Sequence, residues 1–428
     1  MKTKLNTWKI LNNKHKKQEC YRSHHNMDSY MGINKMKTLL LLFFGVGHID
    51  NIAGTEKVFV NMANAFSQRG YKVIAICNDS PEKKLAYRLS EEIVFINLGL
   101  GKITVPFEKK ILREILKPFQ LKIDNPVDIY RTEVLAAEVQ KKIKNSEIYC
   151  AVCFEYNSIM VANKLEIKPR IAMVHNSIEE LIKPMTKKQL EQANKMDAYQ
   201  VLMPSFVEEA KRYLSTRVIY IPNAIEAVVE PKPNALEKQN KEKNKIICIG
   251  RLAEKQKRQH ILLEAFALLA TKYPKWEVDF YGPDYDKGYK DQLCKLRNQY
   301  KLGKQVNFKG VTDNVLEKMR QADILAIPSA YEGFAMVLGE AMSVGLPAVG
   351  FANATSVKDL IINNENGILC EDTIKDYAIG LEKLMCNEQL RRRLGENAKI
   401  LMQEYSADKV WNKWEHLFEQ LHQPCNHL

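Results

Sequence analysis

The sequence predicts an α/β fold in which two doubly wound parallel sheets face each other across a central cleft. Three observations lead to this prediction. The chain has 428 residues, more than one hydrophobic core usually organises. Short apolar runs alternate with helix-patterned stretches in two successive series, and a polar segment separates the series. In such folds, ligands bind in the cleft at the carboxyl ends of the strands.

The first series forms the predicted N-terminal domain, residues 36–229. It opens with a βαβ unit made of the strand "KTLLLLFF", the helix "TEKVFVNMANAFSQRG" and the strand "YKVIAICND". Gly70 is placed to end the helix, because glycine readily adopts the left-handed conformation found there. Further apolar strands are predicted at 92–99, 148–155, 170–176, 198–205 and 217–223.

A change in composition marks the boundary between the two series. Residues 230–245, "EPKPNALEKQNKEKNK", are rich in proline, asparagine and lysine and offer almost nothing to bury. We interpret them as a linker. The alternation then restarts and predicts a C-terminal domain at 246–405. Residues 406–428 are expected to form a helix that packs back towards the N-terminal domain.

Composition and cysteine usage are those of an ordinary globular protein, with 46% hydrophobic and 27% charged residues. The richest apolar run, "LLLLFFGV" at 39–46, is too short to cross a membrane and is interpreted as a buried parallel strand. The nine cysteines are scattered, which indicates a reducing, cytoplasmic setting. Cys150 and Cys153 form a single CxxC with no second pair, so we expect no metal site there.

The net charge of +13 is unevenly distributed. Residues 1–35 hold eight lysines or arginines and two acidic residues and show no periodicity. They are predicted to be a flexible basic N-terminal extension, or an upstream addition if the native start is Met31 or Met36. Nucleic-acid binding is not expected, because the basic residues are not interleaved with aromatic residues or grouped in a recognised module.

The stretch "YEGFAMVLGE" at 331–340 is the main candidate site. It places Glu332 in a loop before a helix that is predicted to begin near Ala335, and Glu340 inside that helix. The backbone N–H groups from Gly333 to Met336 would face an anion such as a phosphate. The carboxylates would then accept hydrogen bonds from hydroxyl groups on either side of it. The alternative is a surface-loop glutamate and an ordinary helix glutamate.

A second stretch, "GRLAEKQK" at 250–257, supplies cations. Arg251 and Lys257 follow Gly250 at the end of a predicted strand, where side chains project into the cleft. Arginine binds phosphate oxygens in a fork, and lysine acts as a mobile point charge, so the pair suits a diphosphate. The alternative is a solvated basic loop.

These stretches, in order with "IPNAIE" (221–226) and "ENGILC" (365–370), resemble the retaining glycosyltransferases of family 4, which have the GT-B fold. The resemblance covers residues 37–422. It implies that Arg251 and Lys257 hold the donor diphosphate and stabilise the leaving group. Glu340 would bind the ribose and Glu332 the transferred sugar, while His175 in "MVHN" would lie beside the reacting carbon. The alternative for His175 is a histidine with a structural role at a strand end.

The resemblance also implies a set of donor-contacting residues. These are Gly54, Gly250, Gly333, Phe334, Ala335, Met336 and Glu340, with Gly54 bringing backbone close to the phosphate or the acceptor. No metal and no cofactor are expected, and "DYD" at 284–286 is not interpreted as a metal site.

The sequence departs from the family pattern at three positions. Ala53 precedes Gly54 where the family usually has two glycines, and Ala335 stands where glycine, proline or serine is common. Asp359 replaces a frequent glutamate. These differences weaken inferences about the sugar more than the inference of transfer.

The function implied is transfer of a hexose or N-acetylhexosamine from a nucleotide-diphosphate sugar to a glycan or lipid-linked acceptor, with retention of configuration. Surface polysaccharide, lipopolysaccharide or glycolipid synthesis would be the setting. Two alternatives stay open: a nucleotide-sugar epimerase on a similar scaffold, and a non-catalytic, membrane-docked protein that binds nucleotide sugars.

Residues 107–119, "FEKKILREILKPF", combine an apolar stripe with Lys109, Lys110, Arg113 and Lys117. This pattern is typical of a helix that lies on an anionic membrane surface. We therefore expect peripheral association, and a cytoplasmic location at the inner face of the plasma membrane. The alternative is a helix that packs on its own domain.

Overall fold

A computed structural model describes residues 36–45, 49–50, 54–117, 125–173, 175–226 and 243–423. The predicted basic extension at 1–35 and most of the predicted linker lie outside these ranges. The chain divides into two compact units, Met1–Lys37 and Thr38–Leu428. Every element below belongs to the second unit.

The first half of this unit is built on a parallel sheet of seven strands in the order β3-β2-β1-β4-β5-β6-β7. The central strand β1 is buried along its whole length, which explains why its sequence is continuously apolar rather than alternating. The strands are β1 (Thr38–Phe43), β2 (Lys72–Cys77), β3 (Val94–Asn97), β4 (Ile148–Cys153), β5 (Arg170–Met173), β6 (Ala198–Val201) and β7 (Val218–Tyr220).

Helices connect these strands. Among the described residues of the first half they are α1 (Gly54–Gln68), α2 (Phe107–Leu116), α3 (Pro126–Ile143), α4 (Tyr156–Lys164), α5 (Ile178–Leu181), α6 (Lys187–Ala193) and α7 (Pro204–Ala210). The buried face of α1 includes Phe59 and Phe66. The ring of Phe59 lies 5.1 Å from that of Phe154, at the end of β4, in an edge-to-face contact.

The second half contains a parallel sheet of six strands in the order β10-β9-β8-β11-β12-β13. Its strands are β8 (Asn244–Ile249), β9 (Trp276–Tyr281), β10 (Val306–Gly310), β11 (Ile324–Ile327), β12 (Ala348–Phe351) and β13 (Ile368–Cys370). Its helices are α8 (Gln259–Ala267), α9 (Tyr289–Gln299), α10 (Val315–Gln321), α11 (Met336–Ser343), α12 (Val357–Leu360), α13 (Ile374–Met385) and α14 (Glu388–Met402).

The start of β8 corrects the predicted linker boundary. The polar composition predicts that Asn244 and Lys245 belong to the linker, but they pair with Trp276 and Glu277 of β9. Lys245 also donates its backbone N–H to Asp323 Oδ2 at 2.7 Å. Polar residues can begin a strand where its end is partly exposed, so composition alone places this boundary two residues too late.

The last helix, α15 (Ala407–His422), returns to the first half of the unit. The ring of Phe66 on α1 lies 5.2 Å from that of Phe418 and 5.7 Å from that of Trp411. On the polar side of this contact, Arg69 Nη1 lies 2.6 Å from Glu415 Oε2. The contacts of α15 therefore lie on the first domain, although this helix follows the second domain in the sequence.

The strand orders define where ligands should bind. Each sheet reverses its winding direction at one point, between β1 and β4 in the first domain and between β8 and β11 in the second. The loops that follow these strands leave a crevice at the carboxyl edge of the sheet. All the main candidate residues lie on loops or helices that follow one of these four strands or β5.

Candidate active site

The loop after β8 places two cations at the switch point of the second domain. Gly250 has a φ of 153°, and a Cβ atom built on it would lie 3.4 Å from Cε of Lys257. The Lys257 side chain therefore lies directly over the backbone of Gly250. Arg251 donates from Nη2 to Oε1 of Gln256 at 2.6 Å, and its guanidinium lies 4.2 Å from the centre of the Tyr285 ring. The ring and the amide fix the direction of the arginine side chain.

Lys257 forms an ion pair with the first glutamate of the main candidate stretch. Its Nζ lies 2.6 Å from Oε1 of Glu332, whose side chain is 9% exposed. The backbone of Glu332 is held by Thr355, which accepts from the Glu332 N–H at 3.3 Å and donates to its carbonyl at 3.1 Å. The loops after β8 and β11 thus meet, as a shared switch point requires.

Helix α11 begins at Met336, with Ala335 as its N-cap residue in the left-handed region at a φ of 33°. Within the described ranges, the backbone N–H groups of Gly333 and Phe334 find no hydrogen-bond acceptor. Donors of this kind at a helix N-terminus favour an anion. The Phe334 side chain is buried and lies 5.7 Å from the Tyr405 ring, so only its backbone is available to a ligand.

The backbones of the two domains come close together at Gly333. A Cβ atom at this position would lie 2.5 Å from the carbonyl oxygen of His175 and 2.7 Å from Cα of Asn176. Both of these are backbone atoms of the other domain and cannot rotate away. A glycine is therefore required here for the observed approach of the two domains.

Glu340 also makes a contact across the cleft. Its Oε1 lies 2.6 Å from Nζ of Lys57 on α1. Burial alone would lower the pKa of Lys57, but the Glu340 carboxylate outweighs this effect and raises it. Farther along the cleft, Ser205 on α7 donates from Oγ to Oδ2 of Asp359 at 2.7 Å. The aspartate that departs from the family pattern thus has a role in joining the domains.

His175 follows β5 and lies with its ring stacked on that of Phe154, at a centroid distance of 5.3 Å and an interplanar angle of 11°. Its Nε2 atom is buried and has no hydrogen-bond partner among the described residues. Burial lowers the pKa of His175 to about 3. The imidazole is therefore neutral at physiological pH and can exchange hydrogen bonds with a ligand, but it supplies no charge.

Gly54 is the first residue of α1. A Cβ atom built at this position would have nothing within 4 Å, and the residue is exposed. Gly54 lies near the switch point of the first domain because α1 follows β1. Its predicted role as a donor-contacting residue stays a prediction.

Three charged residues at the first domain's switch point were missed by the sequence reasoning. They are Glu56 and Lys57, in the first turn of α1, and Glu155, in the loop after β4. The sequence contains a signal for these residues. Glu155 closely follows a buried apolar run, and the "TEK" triplet stands where the first helix leaves the central strand.

Two minor sequence features have structural explanations. Cys150 and Cys153 are both buried in β4, but they pack into separate hydrophobic clusters on opposite faces of the sheet, so they do not face a common ligand. In "DYD", Asp286 accepts the Glu254 N–H at 2.7 Å and Tyr285 lies under Arg251. In the part of the chain that the structure describes, no three His, Cys, Asp or Glu side chains gather as a metal site would require.

Comparisons with known proteins show what this chain is similar to. Residues 231–401 match the family model "Glycosyl transferases group 1". An uncharacterized glycosyltransferase of Haemophilus influenzae is 26% identical over 388 residues, covering 87% of this chain and 98% of the relative. An α-1,4-N-acetyl-D-galactosaminyltransferase of Campylobacter jejuni, whose acceptor is an undecaprenol-PP-linked GalNAc-GalNAc-diNAcBac glycan, is 24% identical over 380 residues, covering 87% of this chain and 96% of the relative.

Among solved structures, a variant of TarM from S. aureus matches with a TM-score of 0.68 and 16% identity, covering 90% of this chain and 100% of that one. That structure contains UDP and α-GlcNAc-glycerol, together with fondaparinux. The likeness establishes the GT-B fold and confirms the predicted pair of doubly wound domains. The group 1 domain and the full-length relatives support a glycosyltransferase enzyme.

Proposed function

We propose that this chain, a GT-B protein with a group 1 glycosyl transferase domain, moves a sugar from a nucleotide-diphosphate donor to a glycan or lipid-linked acceptor with retention of configuration. One observation carries the proposal. Cations, helix N–H groups and two glutamates surround a single switch point, and His175 faces it from the other domain. This arrangement offers partners to each part of a nucleotide sugar.

The donor diphosphate would lie between Arg251, Lys257 and the N-terminus of α11. When the donor binds, the ion pair between Lys257 and Glu332 would weaken and Lys257 would contact a phosphate oxygen. The Glu332 carboxylate could then accept a hydrogen bond from a sugar hydroxyl. Glu340 would give up its ion pair with Lys57 and accept hydrogen bonds from the ribose hydroxyls instead. Fixed cations and N–H donors that stabilise a departing diphosphate are each typically worth about 3 kcal/mol in the transition state.

Retention follows if the acceptor hydroxyl attacks the anomeric carbon on the face that the diphosphate leaves. The bond between that carbon and the diphosphate oxygen breaks as the new glycosidic bond forms. The acceptor proton passes to an oxygen of the departing phosphate, so no separate base is required. His175, neutral at working pH, would orient the transferred sugar through the Nε2 atom that has no partner among the described residues.

The names of the relatives guide which donor and acceptor classes we propose. The C. jejuni enzyme is named for transfer of N-acetylgalactosamine to an undecaprenol-PP-linked glycan, and the TarM variant was solved with UDP. We therefore propose a UDP-hexose or UDP-N-acetylhexosamine donor and a role in surface polysaccharide, lipopolysaccharide or glycolipid synthesis. Because Arg251 and Lys257 neutralise the diphosphate, the proposed reaction uses no metal or cofactor, and transfer should persist in EDTA.

Helix α2 supports an acceptor that is held at a membrane. None of the described helices is long and apolar enough to cross a bilayer. All residues of α2 are partly or fully exposed, and the apolar side chains of Phe107 and Ile115 are 73% and 63% exposed. Basic residues accompany them, so the helix suits an anionic lipid surface. Residues 118 and 119 of the predicted segment lie outside the described residues.

Vesicle sedimentation tests this docking. Wild type should bind vesicles that contain phosphatidylglycerol and should not bind pure phosphatidylcholine vesicles. Phe107→Ser with Ile115→Ser should abolish binding, whereas Ile400→Ser, an exposed apolar residue on α14, should not. Equal binding by both variants would exclude α2 as the membrane contact. Docking through α2 supports our proposal that the protein acts at the cytoplasmic face of the plasma membrane.

A donor panel tests the enzymatic proposal. We expect one UDP-sugar to raise the melting temperature of wild type and to have a much smaller effect on Glu340→Ala. Glu396→Ala, an exposed residue on α14, is the matched control and should respond as wild type does. The stabilising donor, incubated with wild type and membrane extract, should then label a glycan or lipid product.

The two alternative functions give different results in the same assays. An epimerase would convert the donor without any acceptor. A non-catalytic protein would bind the donor and label nothing in membrane extracts. If no nucleotide sugar stabilises wild type and no product is labelled, the proposal is wrong.

A further inference from the structure

The switch point of the first domain contains two carboxyl groups that the proposed donor site does not use. Glu155 lies in the loop after β4, and Glu56 lies in the first turn of α1. The carboxyl groups interact electrostatically with each other, and Glu56 also interacts with Arg251 of the donor site. Within the described ranges, no hydrogen bond or ion pair engages the Glu155 carboxyl. The Glu155 carboxyl group is therefore available to a ligand.

A cavity of about 210 Å³ adjoins Glu155 at the carboxyl ends of β4, β5 and β6. Its wall combines apolar side chains such as Met173 and Met185 with the polar side chains of Gln189 and Tyr199, and Glu155 is its acidic member. The volume is below the roughly 300–1,000 Å³ of pockets for drug-sized ligands, so it suits one small ring. A wall of this mixed character matches a pyranose, which has apolar C–H faces and hydroxyl groups at its edge.

The cavity is connected to the reaction centre through one side chain. Phe154 lines the cavity and stacks on the ring of His175, and the backbone carbonyl of His175 lies against Gly333 across the cleft. A ring held in the cavity would thus contact Phe154, which itself contacts the histidine of the proposed donor site.

We propose that this cavity is the acceptor subsite, that it receives one hydroxylated pyranose ring, and that Glu155 binds the acceptor by hydrogen bonds to its hydroxyl groups. The inference rests on the proposed function, because it assigns the acceptor side of the same reaction. Glu56 interacts electrostatically with both Glu155 and Arg251, which connects the acceptor subsite to the diphosphate site.

The protonation of Glu155 fits this role. Burial, together with the neighbouring Glu56 carboxyl, raises the pKa of Glu155 to about 7. At neutral pH the group is therefore present in both forms, and it can accept from one hydroxyl as a carboxylate or donate to another as an acid. A carboxylate that was permanently ionised would bind only donors.

Saturation-transfer NMR on the full chain tests the proposal with four probes, the methyl α-pyranosides of glucose, galactose, N-acetylglucosamine and N-acetylgalactosamine. Spectra are recorded with and without UDP, and UDP affinity is measured by calorimetry. We expect wild type to saturate at least one pyranoside. Glu155→Gln should lower that signal by about fivefold or more while UDP affinity stays within about twofold. Glu133→Gln, an exposed residue on α3, is the matched control.

A second variant, Met185→Trp, fills the cavity and leaves both carboxyl groups in place. It should remove pyranoside saturation and preserve UDP binding. The proposal fails if both variants retain the pyranoside signal, or if wild type binds UDP and none of the four pyranosides. If wild type binds pyranosides through Glu155 but no nucleotide, the subsite stands and the proposed donor is wrong.

Discussion

Nζ of Lys57 lies 2.6 Å from Oε1 of Glu340, so an ion pair joins the first helix of one domain to the central site helix of the other. The two side chains are only 30% and 11% exposed. In the proposed reaction the ribose hydroxyls must either share the Glu340 carboxylate with Lys57 or displace Lys57 from it. The contact therefore couples donor binding to the approach of the two domains.

Replacing Lys57 by methionine should separate these two effects. The change leaves Glu340 partly buried without its cation, which should lower the free energy of unfolding by about 1–3 kcal/mol, between the values for exposed and buried pairs. Donor hydroxyls would then satisfy Glu340 without competition. We expect a lower melting temperature in the empty protein and a larger increase on donor addition, measured by thermal shift. A decrease in the donor effect would show that Lys57 itself contacts the donor.

Gly333→Ala should disrupt the cleft. Its Cβ would lie 2.5 Å from the His175 carbonyl oxygen, and overpacking of this kind costs about 1–3 kcal/mol. We expect loss of transfer activity and weaker donor binding, because the domains can no longer reach the observed approach. Gly54→Ala is the matched control: its Cβ would have nothing within 4 Å, so stability should change little. Wild-type activity in Gly333→Ala would exclude this contact from the active state.

Ala335→Gly should be neutral or stabilising. Ala335 has a φ of 33°, in a region that costs an L-residue about 1–2 kcal/mol and glycine almost nothing. The added freedom of glycine in the unfolded chain offsets roughly 0.4–1 kcal/mol of this gain. Chemical denaturation should show a free energy of unfolding equal to wild type or up to about 1.6 kcal/mol higher. Ala341→Gly, inside the same helix, should instead destabilise by about 1 kcal/mol or more.

The pH dependence of stability tests Glu155 independently of any ligand. Its pKa is raised from 4.5 in an ordinary setting to about 7, so between these values the folded state binds more protons than the unfolded state. The contribution of Glu155 to the free energy of unfolding is therefore present at low pH and is lost as pH rises through about 7. The other groups facing Glu155, Glu56 and Tyr199, remain in the variant described next.

Glu155→Gln should remove that decrease. Its melting temperature should approach that of wild type near about pH 5 and exceed it at about pH 8. Scans at both values, with Glu133→Gln as the control, provide the comparison. A variant that is less stable than wild type at the higher pH would contradict the raised pKa.

The sequence predicts much of the fold because each central strand is a continuous apolar run between recognisable loops. Arg251, Lys257, Glu332 and Glu340 could be assigned to one region because they follow neighbouring strands of a single sheet. The roles of these residues, and those of His175 and Gly54, stay predictions.

The contacts between the domains could not be predicted from the sequence. Lys57 and Glu340 are 283 positions apart, and their pairing depends on how two separately folded sheets approach each other. The left-handed conformation of Ala335 could not be predicted either, because alanine rarely adopts this conformation and its presence does not indicate it. Glu155 was missed because a single glutamate after a strand has no pattern until the cavity beside it is known.

The return of α15 to the first domain also limits how this protein can be recombined. Phe66 packs against Trp411 and Phe418, so a chimera that takes the whole second half from a relative brings a foreign helix onto the first domain's core. An exchange of donor specificity should instead replace an internal cassette that begins near Asn244 and ends before Ala407. Natural shuffling of these halves would face the same restriction, with two junctions required in place of one.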